Sequence, residues 1–103
     1  MSLKEFRDLL LTADPEATHY ASKKKGNYTV WAEYDNKGLK ADDSEREQIH
    51  KIQVDRFTKI EYDPIKDAIT NMLNANDISF IGPLTDYEEK TGYIHHIWDC
   101  EVD

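Results

Sequence analysis

The chain has 103 residues, room for one domain around one core. Its 21 acidic residues against 13 basic ones leave a net charge of −8. This excludes nonspecific attachment to phosphate backbones, because that affinity comes from clustered Lys and Arg. The single cysteine, Cys100, excludes an internal disulfide and suits a reducing compartment.

No segment approaches the ~20 apolar residues of a membrane span. The run Leu9–Leu11 is too short for the apolar part of a signal peptide. The expectation is a soluble, acidic domain made inside the cell, with no membrane partner. A chain of this size buries roughly 60–70% of the surface exposed when unfolded. Its own stability is then modest, and a partner can add burial.

The first element reads as a helix. Ser2 caps it, and Glu5 completes a capping box three residues on. Leu3, Phe6, Leu9 and Leu10 form an apolar stripe at helical spacing. Asp14-Pro15 stops it, since the residue before proline avoids the helical region. Residues 17–22 read as a short strand and Lys23-Lys24-Lys25-Gly26-Asn27 as a turn. A strand follows from Tyr28 to Tyr34, with Tyr28, Val30, Ala32 and Tyr34 on one side and Thr29, Trp31 and Glu33 on the other. Asp35-Asn36-Lys37-Gly38 is a turn signal, and residues 39–47 are rich in charge without periodicity. Residues 35–47 therefore read as an exposed charged loop or hairpin arm.

Ile49 to Ile60 returns to strand, with Ile52 and Val54 inward. Arg56 then takes the next inward position and Phe57 the other face, which implies either a bulge or cover on both faces. Asp63-Pro64 opens the second helix, a cap followed by proline at its first position. Its stripe is Ile65, Ala68, Ile69, Met72 and Leu73, and residues 74–77 end it. Ile78–Leu84 is a strand broken by Gly82-Pro83, hence at an edge or bent. Residues 86–92 read as a polar turn. In the last strand Ile94, His96, Trp98, Cys100 and Val102 share one face, and Tyr93, His95, Ile97, Asp99, Glu101 and Asp103 the other. The predicted order is α-β-β-β-α-β-β over residues 1–103 as one domain. The class is α+β, a mainly antiparallel sheet of about five strands flanked by two helices.

The histidines do not read as a metal site. His95 and His96 point to opposite faces, and four strand residues separate His96 from Cys100 by roughly 13 Å. A zinc ion needs its ligands within about 2.0–2.3 Å of itself. No CxxC or HExxH spacing occurs elsewhere. No serine stands at a nucleophile elbow, and the four glycines form no phosphate loop. Cys100 reads as inert packing, His96 as a core-edge residue with both ring nitrogens hydrogen-bonded, and His50 and His95 as solvated. No catalytic residue, metal or cofactor is expected, and the chain does not read as an enzyme.

The lysine turn at 23–25 and the arm at 35–47 read as solvated loops or as contact elements; long irregular loops are uncommon in compact domains and often functional. Trp31, on the mostly polar side of its strand, is either covered by a helix or anchors a partner. The candidate subunit or tube contacts are Trp31, Asp35, Lys37, Leu39, Lys40, Asp42, Asp43, Glu45, Arg46 and Glu47.

The layout resembles the small tail-completion, or tail-terminator, proteins of long-tailed phages and prophages. The resemblance rests on several features: the amphipathic first helix, a strand hairpin whose aromatic-rich second strand ends near Tyr34, and Leu39-Lys40-Ala41-Asp42 in the loop. It also rests on HKIQVDRFTK at residues 50–59, the helix opened by Asp63-Pro64, and final strands ending in Glu101-Val102. The chain departs from the family pattern in Arg56, which stands where an apolar residue is usual. The resemblance implies a structural protein of the virion neck, made in the host cytoplasm. Such proteins form a ring, commonly a hexamer, that terminates the tail tube and joins it to the head connector, while DNA passes through the lumen without specific binding. An acidic wall suits that passage, since it repels phosphate. Two other readings stand beside it. One is an acidic DNA mimic that binds the basic cleft of a nuclease or repressor. The other is a small hydrolase or transferase using His50 or His96.

Overall fold

A computed structural model of the chain describes residues 1–23, 25–34 and 49–103. The elements run α1 (Leu3–Ala13), β1 (Thr18–His19), β2 (Tyr28–Tyr34), β3 (His50–Thr58), α2 (Pro64–Ala75), β4 (Ser79–Glu88) and β5 (Tyr93–Val102). The fold is α+β in the order α-β-β-β-α-β-β, with one five-stranded sheet ordered β1-β2-β3-β5-β4. The expected arm at 35–47 lies outside the described residues.

Both helices start as their sequences dictate. Ser2 and Glu5 exchange side-chain-to-backbone bonds in a capping box. Asp63 Oδ1 accepts from Ile65 N at 3.2 Å, with Pro64 at the first helical position. The apolar stripes bury Phe6 and Leu10 from α1, and Ile69, Met72 and Leu73 from α2, against one face of the sheet. That inner face presents Trp31, Ile52, Val54, Trp98, Cys100 and Val102, all buried. The alternation of β5 is the one its sequence predicts: His96, Trp98, Cys100 and Val102 are buried while Glu101 is exposed.

The structure corrects three expectations. First, β1 and β2 are no hairpin. They run parallel, pairing Thr18 with Val30 and His19 with Trp31. The chain turns at Tyr20 (φ 70°) and again at Gly26 (φ 65°), so β2 sets out in the same direction as β1. Second, β3 carries no bulge. Its pairing runs without a shift from Lys51 to Phe57 against β2, and from His50 to Thr58 against β5. Arg56 keeps the inward phase and is buried there. Third, β4 continues past Leu84 to Glu88, through three of the residues expected to form a polar turn. It is indeed an edge strand, and the register shifts between Ile81 and Leu84, around Gly82 and Pro83. A Cβ on Gly82 would stand 2.5 Å from the Ile97 carbonyl oxygen, and its φ of 128° excludes most side chains.

Candidate functional site

Among the described residues, three clusters bring polar side chains together. The first lies inside. Thr29, Arg56 and His96 sit side by side in one row across β2, β3 and β5. Arg56 Nε donates to Asp63 Oδ2 at 2.8 Å, and Nη2 to Asp63 Oδ1 at 3.5 Å. Nη1 donates to Thr29 Oγ1 at 3.3 Å and to Asp14 Oδ2 at 3.5 Å. Asp14 closes α1, accepting from Glu16 N at 3.0 Å, and Asp63 caps α2. One guanidinium thus ties together the end of α1, the start of α2 and two central strands. A cleft of about 210 Å³ opens beside it, lined by Asp14, Glu16, Lys23, Asn27, Tyr28, Arg56 and Ile65. The arginine at its floor is committed to two carboxylates, so the cluster is organised for locking and not for binding an anion.

His96 adjoins this cluster and is buried. Its Nδ1 lies 2.8 Å from Thr85 Oγ1. Its Nε2 is buried with no hydrogen-bond partner among the described residues, so only one of the two expected ring bonds forms. Burial, helped by the nearby Lys66 charge, pushes its pKa down and keeps the ring neutral.

The second cluster is at the sheet's edge. The His19 ring stacks between Trp31 (centroids 3.8 Å apart) and Tyr20 (3.9 Å). His19 Nε2 and the Tyr20 hydroxyl both reach Glu33, at 2.8 and 2.6 Å. Partial burial works to raise the Glu33 pKa, but these two bonds outweigh it and hold the carboxyl below its usual value. The same Glu33 bond raises the Tyr20 pKa. For Trp31 the sequence leaves two readings, cover by a helix or a partner anchor, and it is one of the candidate contacts. The structure places it in the core, 3% exposed, with Phe6 of α1 at 5.5 Å. Its strand face is polar at the ends but is the face the helices cover.

The third cluster lies on the outer face of the sheet, which neither helix covers. At one end Phe57 stacks on Tyr28 (4.8 Å) and on His95 (4.0 Å), with Tyr93 edge-on to both Tyr28 and Phe57. His95 is not solvated as expected. Its Nε2 lies 2.6 Å from Asp55 Oδ2 and its Nδ1 3.7 Å from Glu88 Oε2. The sequence alternation put it on the outer face, but the neighbouring aromatic and acidic side chains shelter it there. Beyond it come Val30, Ala32, Ile97, Leu84 and Ile81 by strand register, with Leu84 56% and Ile81 68% exposed.

Among the described residues, no three His, Cys, Asp or Glu side chains are grouped to hold a metal ion. No described helix is long and apolar enough to cross a membrane. Cys100 is buried on the inner face, and burial pushes its thiol pKa up to about 12. At about pH 8 only about one thiol in 10,000 is then ionised, and the thiolate is the reactive form. We expect the folded protein to resist Ellman's reagent for hours and to react within minutes in guanidinium chloride. Fast reaction of the folded protein would show that this face opens readily.

The remaining predicted contacts, Asp35, Lys37, Leu39, Lys40, Asp42, Asp43, Glu45, Arg46 and Glu47, lie outside the described residues. The Arg56 cluster and the outer-face group were missed by sequence reasoning. The first left one trace, a charged residue in an inward phase. No model of a known protein family matches the chain, and no curated protein matches it.

Proposed function

We propose that the chain is a structural subunit of a phage neck. It assembles into a ring, expected to be a hexamer, that terminates the tail tube and joins it to the head connector. DNA passes through the lumen without specific binding. The observation that carries this reading is the one-sided sheet. Two helices bury one face, and the other keeps Ile81, Leu84 and Tyr34 exposed beside partly covered Val30, Ala32 and Ile97. A small fold whose partly apolar outer sheet face no described element covers gains burial from neighbouring copies. The net charge of −8 suits a wall along which DNA slides. The resemblance to tail-terminator proteins supplies the identity of the assembly. Nothing in the three polar clusters combines a nucleophile with a free base, which fits a structural role better than an enzymatic one.

The test is assembly. Purified protein, alone and mixed with tail tubes, should form rings that electron microscopy finds at tube ends. Protein that stays monomeric at high concentration, tubes included, counts against this reading and favours the DNA mimic. Deleting Lys40–Glu45 should leave the circular dichroism of the fold unchanged and abolish head–tail joining in a complementation assay. The deleted segment contains no large apolar residue, and shortening the connection costs little closure entropy. Full joining by the deletion would remove the contact role given to the arm.

A further inference from the structure

The outer sheet face is not uniform along the strands. At one end lie the starts of β2 and β5 and the lysine turn that leads into β2. Lys25 is exposed there, and the turn is tied down from both sides: Tyr93 Oη donates to Gly26 O at 2.6 Å, and Lys59 N to Asn27 Oδ1 at 2.9 Å. Lys23 turns to the helix side instead, 3.9 Å from Glu16 and lining the cleft beside Arg56. At the other end Tyr34, Lys51, Glu101 and Ser79 stand in one row across the sheet. A cleft of about 210 Å³ lies there, lined among others by Tyr34, Ile81, Asp99 and Glu101. Among the described residues its one cation is Lys51, which is taken by Glu101 at 3.3 Å. Asp77 and Asp103 line the adjoining cleft with Glu101 and add to the negative field.

Six residue steps along β2, from Tyr28 to Tyr34, separate the two ends by about 20 Å. The basic turn therefore cannot reach the acidic cleft of its own chain. It can reach that of another. The cleft also offers what a lysine stem and its ammonium need: carboxylates for the charge, and the exposed faces of Tyr34 and Ile81 for the methylenes.

We propose that a second copy of this chain docks on the outer sheet face, placing the Lys25 end of its turn in the cleft at Asp99 and Glu101. With its turn in one neighbour's cleft and its own cleft filled by another neighbour's turn, each copy makes a head-to-tail contact; a pair that exchanged both contacts would sediment as a closed dimer and overturn this arrangement. Repeated, the head-to-tail contact generates a ring if the rotation closes. The apolar residues between the ends, Val30, Ile97 and Leu84, are then covered by the neighbour, while the charges fix direction and register. This inference rests on the ring reading above and names the contact that would build it.

The experiment uses two charge-reversed chains, Lys25→Glu and Asp99→Lys, each checked for folding by circular dichroism, with assembly followed by sedimentation. Each variant alone should assemble at least about tenfold more weakly than the unaltered chain at low salt. An equimolar mixture should recover to within about threefold, because every junction then pairs opposite charges again. If the unaltered chain assembles and the variants assemble equally well, this contact is overturned and the ring reading stands. Variants that weaken assembly without recovery on mixing also overturn it, since their losses then arise elsewhere. An unaltered chain that never assembles, with tail tubes present, overturns the ring reading and this contact together.

Discussion

Replacing Arg56 by alanine should destabilise the protein by about 3–5 kcal/mol, the usual cost of removing one partner from a buried ion pair. The residue is buried, and so are both acids it holds. Asp63 is 1% exposed and Asp14 scarcely more. Without the guanidinium these carboxylates have lost most of their solvation and gained no counter-charge. Protein interiors tolerate that poorly, and much of the cost belongs to the stranded acids and not to the lost attraction. A double-mutant cycle separates the two. Asp63→Asn keeps the capping oxygen that accepts from Ile65 N and removes the charge. In the Arg56→Ala background it should recover about 1–3 kcal/mol, a coupling typical of residues in one network. Chemical denaturation of the four proteins measures it. Strictly additive losses, or an alanine variant as stable as the parent, would show that Arg56 is solvated through the cleft and does not lock the fold.

Arg56 also marks where the sequence stopped being legible. The local pattern placed its side chain inward correctly, and the strand, both helix stripes and the final strand were all readable because their periods are local properties. What makes an inward arginine acceptable is not local. Asp14 is 42 positions away at the end of another helix, and Thr29 lies on a neighbouring strand. With those partners out of sight, a bulge and cover on both faces were equally open readings. The parallel pairing of β1 escaped for a related reason: it depends on a left-handed Tyr20, which composition does not announce. His95 shows the limit from the other side. Alternation assigns a face, but whether that face is wet depends on Phe57, Asp55 and Glu88, brought in from two other strands. The acidic cleft is assembled in the same way, from the ends of four strands, so no single stretch of sequence carries it.

Trp98→Ala should be the most damaging apolar substitution in the chain, at roughly 3–5 kcal/mol. Trp98 is 0% exposed, lies opposite Val54 in the middle of the sheet, and packs in the core to which both helices contribute. Its indole also has its polar atom satisfied, Nε1 donating to Thr70 Oγ1 of α2 at 3.0 Å. Truncation removes the largest side chain of the core and leaves a cavity that the rigid central strands cannot collapse to fill. A domain of this size typically has ~5–15 kcal/mol of stability in total, so the variant should melt roughly 15–30 °C lower or fail to fold at all. The neighbouring residue provides the internal control. Ile97 points to the outer face and is only half-buried. Ile97→Ala should cost less than about 1.5 kcal/mol in the monomer. If copies of the chain cover that face, its main effect should fall on assembly. Thermal melts of the two variants below and above the assembly concentration distinguish these effects. A Trp98→Ala melt equal to the parent's, with Ile97→Ala the damaging change, would mean that the two faces of β5 have been assigned the wrong way round.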